Sequence, residues 1–240
     1  MDSGVDAGLI QERSAWAQTL ILENSEAALA RQAKVGRMSS TEFIALLVLA
    51  TAMSFTPGPN TALSSAMAAN HGLRRTMPFV CAVPLGWGLL LTFSALGVGA
   101  LLVALPLLAW AVKLTGAAYL VWLARRLAMT QELGQADAQR LQIGFWQGVV
   151  LQLVNIKAWM LALALVSGWV AGYDNAGWRF VIVLPVMLVF AFGSNLAYAL
   201  VGSLLREWLA GPDGTRQRLR WFNRVMAAVL VLTAGWMLLR

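Results

Sequence analysis

The sequence is poor in charged residues, in cysteine and in histidine. Only 12% of its 240 residues are charged, and it contains one cysteine and one histidine. A soluble domain carries about 25% charged residues, so this shortage argues strongly against a soluble fold. Cys81 alone cannot form a disulfide framework, and an intramembrane thiol–disulfide carrier would need two cysteines.

Acidic residues are missing from the apolar parts of the chain. Beyond residue 37 they lie only at the edges of apolar segments or between them: Glu42, Glu132, Asp137, Asp174, Glu207 and Asp213. A divalent-metal carrier would need buried carboxylates or histidines, and His71 lies in a predicted loop. The chain has no GxxxxGK(S/T) phosphate loop and no visible catalytic dyad. We therefore predict no metal, no cofactor and no enzymatic activity.

The chain is rich in long apolar stretches without a charge, at residues 76–112, 141–156, 158–173, 180–205 and 225–239. A helix needs about 20 apolar residues to cross the bilayer core. The sequence therefore predicts an all-α membrane protein with six transmembrane helices. We place the spans at about residues 42–69, 77–102, 107–129, 143–171, 178–205 and 221–239.

Residues 1–37 differ from the rest of the chain because they are polar and contain no apolar run of membrane length. A charged stretch stands where a signal peptide would have its apolar region. We predict that residues 1–37 are a polar extension, either disordered or a mis-called start before Met38. Residues 38–240 are predicted to form a six-helix membrane domain.

The first span is interrupted by the sequence Phe55-Thr56-Pro57-Gly58-Pro59-Asn60. Proline lacks an N–H and disfavours helical geometry in the residue before it, so this stretch cannot continue a regular helix. Inside a membrane such a break survives only within the protein or against a water-filled cavity. Broken helices form the substrate site of many secondary transporters. The simpler interpretation is a proline kink without a ligand.

Three spans, a polar loop and three further spans indicate an internal duplication, with one repeat at about residues 40–129 and the other at about 143–240. The first break falls opposite Leu153-Val154-Asn155-Ile156-Lys157 in the fourth span. Three spans per repeat make the halves inverted in the membrane, with broken first and fourth helices. Matched interruptions in inverted repeats point to a midplane site. Chance similarity between apolar segments is the alternative.

Polar residues within the spans need a reason, because they are costly in a bilayer. Asn60 and Asn155 lie beside the two breaks, where they either satisfy freed backbone groups or bind a ligand. Lys157 lies deep in the fourth span, where it either pairs with backbone carbonyls or attracts a carboxylate. Asn195 in the fifth span is a further candidate ligand or a packing group.

Arginine is distributed unevenly between the two sides of the predicted bundle. One side receives Arg74, Arg75, Arg125, Arg126, Arg140, Arg206, Arg216, Arg218, Arg220 and Arg224, whereas the other receives Arg179, Arg240 and the N-terminal tail, whose Arg31, Lys34 and Arg37 run against this pattern unless the chain starts at Met38. Positive residues mark the cytoplasmic side, so both ends of the membrane domain are predicted to be periplasmic. This distribution explains the net charge of +7 without any nucleic-acid partner. Tryptophans near the predicted span ends suit contact with membrane lipid.

Several motifs together resemble the LysE/RhtB superfamily of amino-acid exporters. Thr56-Pro57-Gly58-Pro59-Asn60, followed by His71-Gly72, is similar to its first signature. Lys113-x-x-Gly116-Ala117-Ala118-Tyr119-Leu120 matches its third-span signature. Phe145-x-x-Gly148, followed by Asn155-x-Lys157, resembles its fourth-span signature, although Ile156 stands where the family usually has proline. That departure resembles the branch exporting cysteine and O-acetylserine.

The resemblance implies a secondary exporter of amino acids or small derivatives across the bacterial inner membrane, driven by protons. It implies that substrate binding involves Pro57, Gly58, Pro59, Asn60, Asn155 and Lys157, to which we add Asn195. The predicted partner is a small zwitterionic metabolite. Glycine-rich faces permit a homodimer. The alternatives are a non-transporting membrane scaffold and, disfavoured by the missing acids, an ion or metal carrier.

Overall fold

The computed structural model describes residues 38–130, 143–211 and 216–239. The predictions for residues 1–37, and for Arg140 and Arg240, lie outside the described residues. Within the described ranges the regular structure is helical and contains no strand. This agrees with the all-α class that the apolar stretches predict.

The described part of the chain forms ten helices. They are α1 (Ser40–Phe55), α2 (Pro59–His71), α3 (Leu73–Ala95), α4 (Val98–Ala104), α5 (Pro106–Met129), α6 (Phe145–Leu153), α7 (Ile156–Trp169), α8 (Ala176–Leu204), α9 (Arg206–Ala210) and α10 (Gln217–Leu239). Four of these, α3, α5, α8 and α10, are long and apolar enough to cross a membrane. The pairs α1–α2 and α6–α7 are each bent at a short break, so the chain has six spans if each pair crosses once.

The second span is shorter than the sequence predicts. We expected a helix to about residue 102, but α3 ends at Ala95 and the separate short helix α4 follows. Gly97 lies between them with a φ of +91°, a conformation that side chains other than glycine rarely adopt. The glycine therefore ends the helix, because its left-handed backbone cannot continue the α-helical path.

Helix α1 begins where its end groups can be satisfied. The Glu42 side chain accepts a hydrogen bond from the Ser39 backbone N–H (2.7 Å), and the Ser39 hydroxyl accepts one from the Glu42 N–H (3.1 Å). This reciprocal arrangement is a capping box, which satisfies two N–H groups that the helix itself cannot pair. It fixes the start of α1 at Ser40.

Helix α2 lies in the centre of the compact unit that runs from Ile44 onward. Nearly all of its residues are buried, and most are small: alanine, serine or threonine. Small side chains let membrane helices approach closely. At Gly202 of α8, for example, an added methyl group would lie 2.1 Å from the Ser65 carbonyl oxygen. Helix α8 therefore rests directly on the α2 backbone.

Large apolar side chains cover the outside of the bundle. Tryptophans at the predicted span ends are all exposed: Trp110, Trp122, Trp146, Trp178, Trp208 and Trp221. An exposed belt of this kind is typical of membrane–water interfaces. The chain is therefore a multi-pass membrane protein.

Candidate functional site

The first break joins α1 to α2 at an angle of 49°. In a continuous helix the Phe55 carbonyl would accept a hydrogen bond from the backbone nitrogen of residue 59, but Pro59 has no hydrogen there. Instead, the Tyr198 hydroxyl of α8 donates to the Phe55 carbonyl at 2.9 Å. At the start of α2, the Gly58 N–H donates to the Thr61 hydroxyl at 2.9 Å. Side chains thus satisfy the Phe55 carbonyl and the Gly58 N–H at the proline break.

The second break joins α6 to α7 at 65°, a sharper bend that forms without proline. The Leu153 carbonyl accepts a hydrogen bond from the Trp159 indole N–H at 2.7 Å. The Val154 carbonyl packs on Gly116 of α5, where an added methyl group would lie only 2.1 Å from its oxygen. The Trp159 indole N–H and the close packing on Gly116 therefore support this break, so it does not require a proline in place of Ile156.

These contacts separate the two roles considered for Asn155 and Lys157. The freed carbonyls at Phe55 and Leu153 are satisfied by Tyr198 and Trp159. The Asn155 side-chain oxygen is buried without a hydrogen-bond partner among the described residues. Within the same part of the chain, the half-buried Lys157 side chain forms no hydrogen bond and no ion pair. Both side chains are therefore available to a ligand.

A cavity of about 80 Å³ lies between the two breaks. Six of the seven candidate residues line it: Gly58, Pro59, Asn60, Asn155, Lys157 and Asn195. Pro57 is exposed and does not belong to the lining. The apolar part of the wall includes Met53, Trp87, Leu161 and Met187. The structure therefore brings residues from both halves of the chain to one place.

The electrostatic character of the cavity is positive. A methyl group placed on Gly58 would lie 4.0 Å from the Lys157 ammonium, so this cation reaches from the second break to the first. Helices α2 and α7 both begin at the cavity, and unpaired N–H groups and the helix dipole make such N-termini favourable for anions. In the part of the chain that the structure describes, no aspartate or glutamate lines the cavity. This arrangement is suited to a carboxylate.

Two lining asparagines are already held by neighbouring side chains. Asn60 and Gln152 exchange reciprocal amide hydrogen bonds of 2.7 and 3.0 Å across the two breaks. The Ser64 hydroxyl donates to the Asn195 side-chain oxygen at 2.9 Å. We did not single out Gln152, Tyr198 or Trp159 from the sequence, because their partners are distant along the chain or specified only by packing. A glutamine within an apolar span was the one signal available.

Removing the Tyr198 hydroxyl is expected to destabilise the protein by about 1 kcal/mol, because the Phe55 carbonyl then loses its donor. Thermal unfolding of Tyr198→Phe in detergent measures this loss. Tyr119→Phe is the matched control, since the described residues give the Tyr119 hydroxyl no hydrogen-bond partner. Equal melting temperatures for the two variants would contradict the assigned role of Tyr198.

Metal binding is not indicated by the described residues, among which no group of three or more His, Cys, Asp or Glu side chains could hold an ion.

No solved structure matches the chain. Its residues 51–240 match the LysE type translocator family.

Cysteine/O-acetylserine efflux proteins of Escherichia coli K12, Shigella flexneri and Shigella sonnei are each 33% identical to the chain over 192 residues, which cover 78% of this chain and 91% of each relative. The predicted resemblance is therefore confirmed: the chain belongs to the LysE type translocators, a family of transporters rather than enzymes.

Proposed function

We propose that the protein exports cysteine, O-acetylserine or similarly small neutral amino acids across the bacterial inner membrane in exchange for protons. One observation carries this proposal: the Lys157 ammonium lies between the starts of two half-helices in a cavity without a carboxylate. The names of its relatives, cysteine/O-acetylserine efflux proteins, support the same substrate class.

The cavity offers complementary groups for both ends of a zwitterion. The substrate carboxylate lies against Lys157 and the N-terminus of α7, where positive charge and N–H donors converge. The substrate ammonium donates to the unpartnered side-chain oxygen of Asn155. Pairing this oxygen removes the cost of a buried acceptor without a donor. Asn60 is paired with Gln152, and it can form with the substrate the hydrogen bonds that this pair does not use.

Cavity size and charge favour small substrates with uncharged side chains. A volume of about 80 Å³ accommodates several water molecules, since one water requires roughly 10–15 Å³ on this measure. Lysine or arginine would bring a second positive charge beside Lys157 with no lining carboxylate to neutralise it. We therefore expect the basic amino acids to be poor substrates.

The packing of the spans supports the proposed inverted repeat. If the first three spans exchange places with the last three, the contact of span one with span five maps onto that of span four with span two, while the contacts α5–α10 and α3–α8 map onto themselves. A two-fold arrangement of this kind permits the two halves to rock and expose a central site alternately. The arginine-rich end is proposed to be cytoplasmic, with both ends of the membrane domain periplasmic.

A non-transporting scaffold is the competing function, and the interior distinguishes the two. A scaffold has no need for a polar cavity, whereas here Asn155 and Lys157 line one without satisfying the nearby backbone. This observation favours transport.

Uptake of labelled amino acids into inside-out membrane vesicles tests the proposal, because export from a cell corresponds to uptake there. We expect accumulation of cysteine or O-acetylserine that collapses when a protonophore removes the proton gradient. Uptake of threonine and homoserine tests the size limit of the cavity, and uptake of leucine tests whether its apolar wall accepts a larger side chain. Uptake of lysine and arginine tests the preference for uncharged side chains. Vesicles lacking the protein provide the background.

Failure to accumulate any of these amino acids, with the protein correctly inserted, would overturn the proposed substrate class and favour the scaffold. Accumulation that persists without a proton gradient would overturn proton coupling alone.

A further inference from the structure

Helix α2 carries three polar links to the second half of the chain, each to a different helix. Asn60 pairs with Gln152 of α6, and Ser64 donates to Asn195 of α8. Asn70 and Asn223 of α10 exchange reciprocal amide hydrogen bonds of 2.9 and 3.2 Å. A single half-helix is thus attached by side chains to three spans of the other repeat.

Two of these links start at the cavity wall, because Asn60 and Asn195 line it. The wall also includes the last turn of α1, with Met53 and Ser54, and the first turns of α7, with Leu161. No residue of α6 belongs to the lining, and α2 contributes only its first three residues, 59–61. From there α2 runs away from the cavity, towards the arginine-rich end of the bundle.

The contacts at the end of α2 confirm that direction. A methyl group on Gly72, directly after α2, would lie 3.2 Å from the Arg206 guanidinium. Ala69 of α2 packs with Leu209 of α9 and Leu219 at the start of α10. The cavity is therefore separated from the arginine-rich end by α2 and its polar partners.

We propose that α2 is the gate of the transporter on the arginine-rich side, and that Gln152 and Asn223 are positioning residues that hold it closed. Neither residue lines the cavity, and both are almost completely buried. Opening this side requires the three links to break, after which water and substrate can replace the lost hydrogen bonds. Amide pairs suit a reversible seal because water competes with them, so their net contribution is small.

This inference rests on the proposed alternating-access function, but it is tested without substrate. In a Cys81→Ser background, Ala191→Cys places a thiol in the cavity wall, where Ala191 is buried. A membrane-impermeant thiol reagent is then applied from each face of sealed vesicles. A separate Arg74→Cys variant, with its thiol at an exposed position, shows which face of the vesicle is the arginine-rich one.

We expect the cavity thiol of the otherwise unchanged protein to react faster from the face opposite the arginines. Replacing Asn70 and Asn223 with alanine should raise its labelling rate from the arginine-rich face about fivefold, the change for one lost hydrogen-bonded pair. Labelling from the opposite face should fall, because the two openings exclude each other. Gln152→Leu should likewise raise the labelling rate from the arginine-rich face and lower it from the opposite face.

Thr233→Val is the matched control, since Thr233 lies on α10 with Asn223 but its hydroxyl donates only to Val229 of its own helix. Its labelling rates should equal those of the parent at both faces. If the double alanine variant does not insert, the single variant Asn223→Ser, which keeps a small polar group, carries the same comparison.

Equal increases in the labelling rate at both faces would show a general loosening of the bundle and would overturn the proposal that α2 is a gate. Unchanged rates at both faces would overturn it as well. Sided labelling in a protein that transports none of the tested amino acids would leave the gate standing and reject only the proposed substrates.

Discussion

Lys157→Ala is expected to lower uptake of a small neutral amino acid by about 10- to 100-fold while leaving the protein folded. A charge-assisted hydrogen bond contributes about 1.5–3 kcal/mol, and 1.4 kcal/mol corresponds to a tenfold change in affinity. Among the described residues, Lys157 is the only cationic side chain that lines this cavity, and no acid lines it to compete for the lysine. Removing it leaves the substrate carboxylate with half-helix N-termini alone.

The same substitution should leave thermal stability unchanged or raise it. Lys157 is half-buried and, within the described residues, has no ion-pair or hydrogen-bond partner whose loss would cost stability. Burial of a charge without a partner is itself unfavourable. Lower transport together with equal or higher stability is therefore the signature of a ligand-binding lysine.

Lys113→Ala provides the matched control. Lys113 is the other lysine in the described spans, but its ammonium lies 5.2 Å from the centre of the Trp110 ring and does not line the cavity. We expect this variant to transport normally. Near-normal uptake by Lys157→Ala, or equal losses in the two variants, would refute the role proposed for Lys157.

Gly116→Ala is expected to cost about 1–3 kcal/mol of stability and to impair transport. The added methyl group would lie 2.1 Å from the Val154 carbonyl oxygen and 2.9 Å from the Met237 side chain. A methionine side chain can move, but the carbonyl belongs to the backbone of the second break. Overpacking of this kind typically costs that amount, and relieving it displaces the adjacent Asn155 and Lys157.

Gly235→Ala is the control for Gly116→Ala, because Gly235 lies on α10, which packs against α5, and an added methyl group there meets no atom within 4 Å. Alanine is the better helix former, so this variant should be as stable as the parent or more stable. Thermal unfolding in detergent and vesicle uptake are measured for both. Equal stability of the two variants would mean that Gly116 does not support the break.

Local features of the sequence are enough to predict the class of the protein and its proline break. Apolar length predicts membrane helices wherever it occurs, and the structure places spans close to the predicted bounds, apart from the second. Proline removes a backbone donor regardless of its surroundings, so the break near Pro57 and Pro59 follows from the sequence alone. The motifs around it also predicted the family.

How the breaks are satisfied, and which side chains remain free, depends on the packing of the helices. Tyr198 pairs with Phe55 across 143 residues, and Asn60 with Gln152 across 92. A hydrogen bond between distant segments depends on helix packing, which composition and periodicity do not encode. For the same reason the sequence left two roles open for Asn155 and Lys157. Their availability to a ligand follows from the Tyr198 and Trp159 donors that reach the freed carbonyls of Phe55 and Leu153.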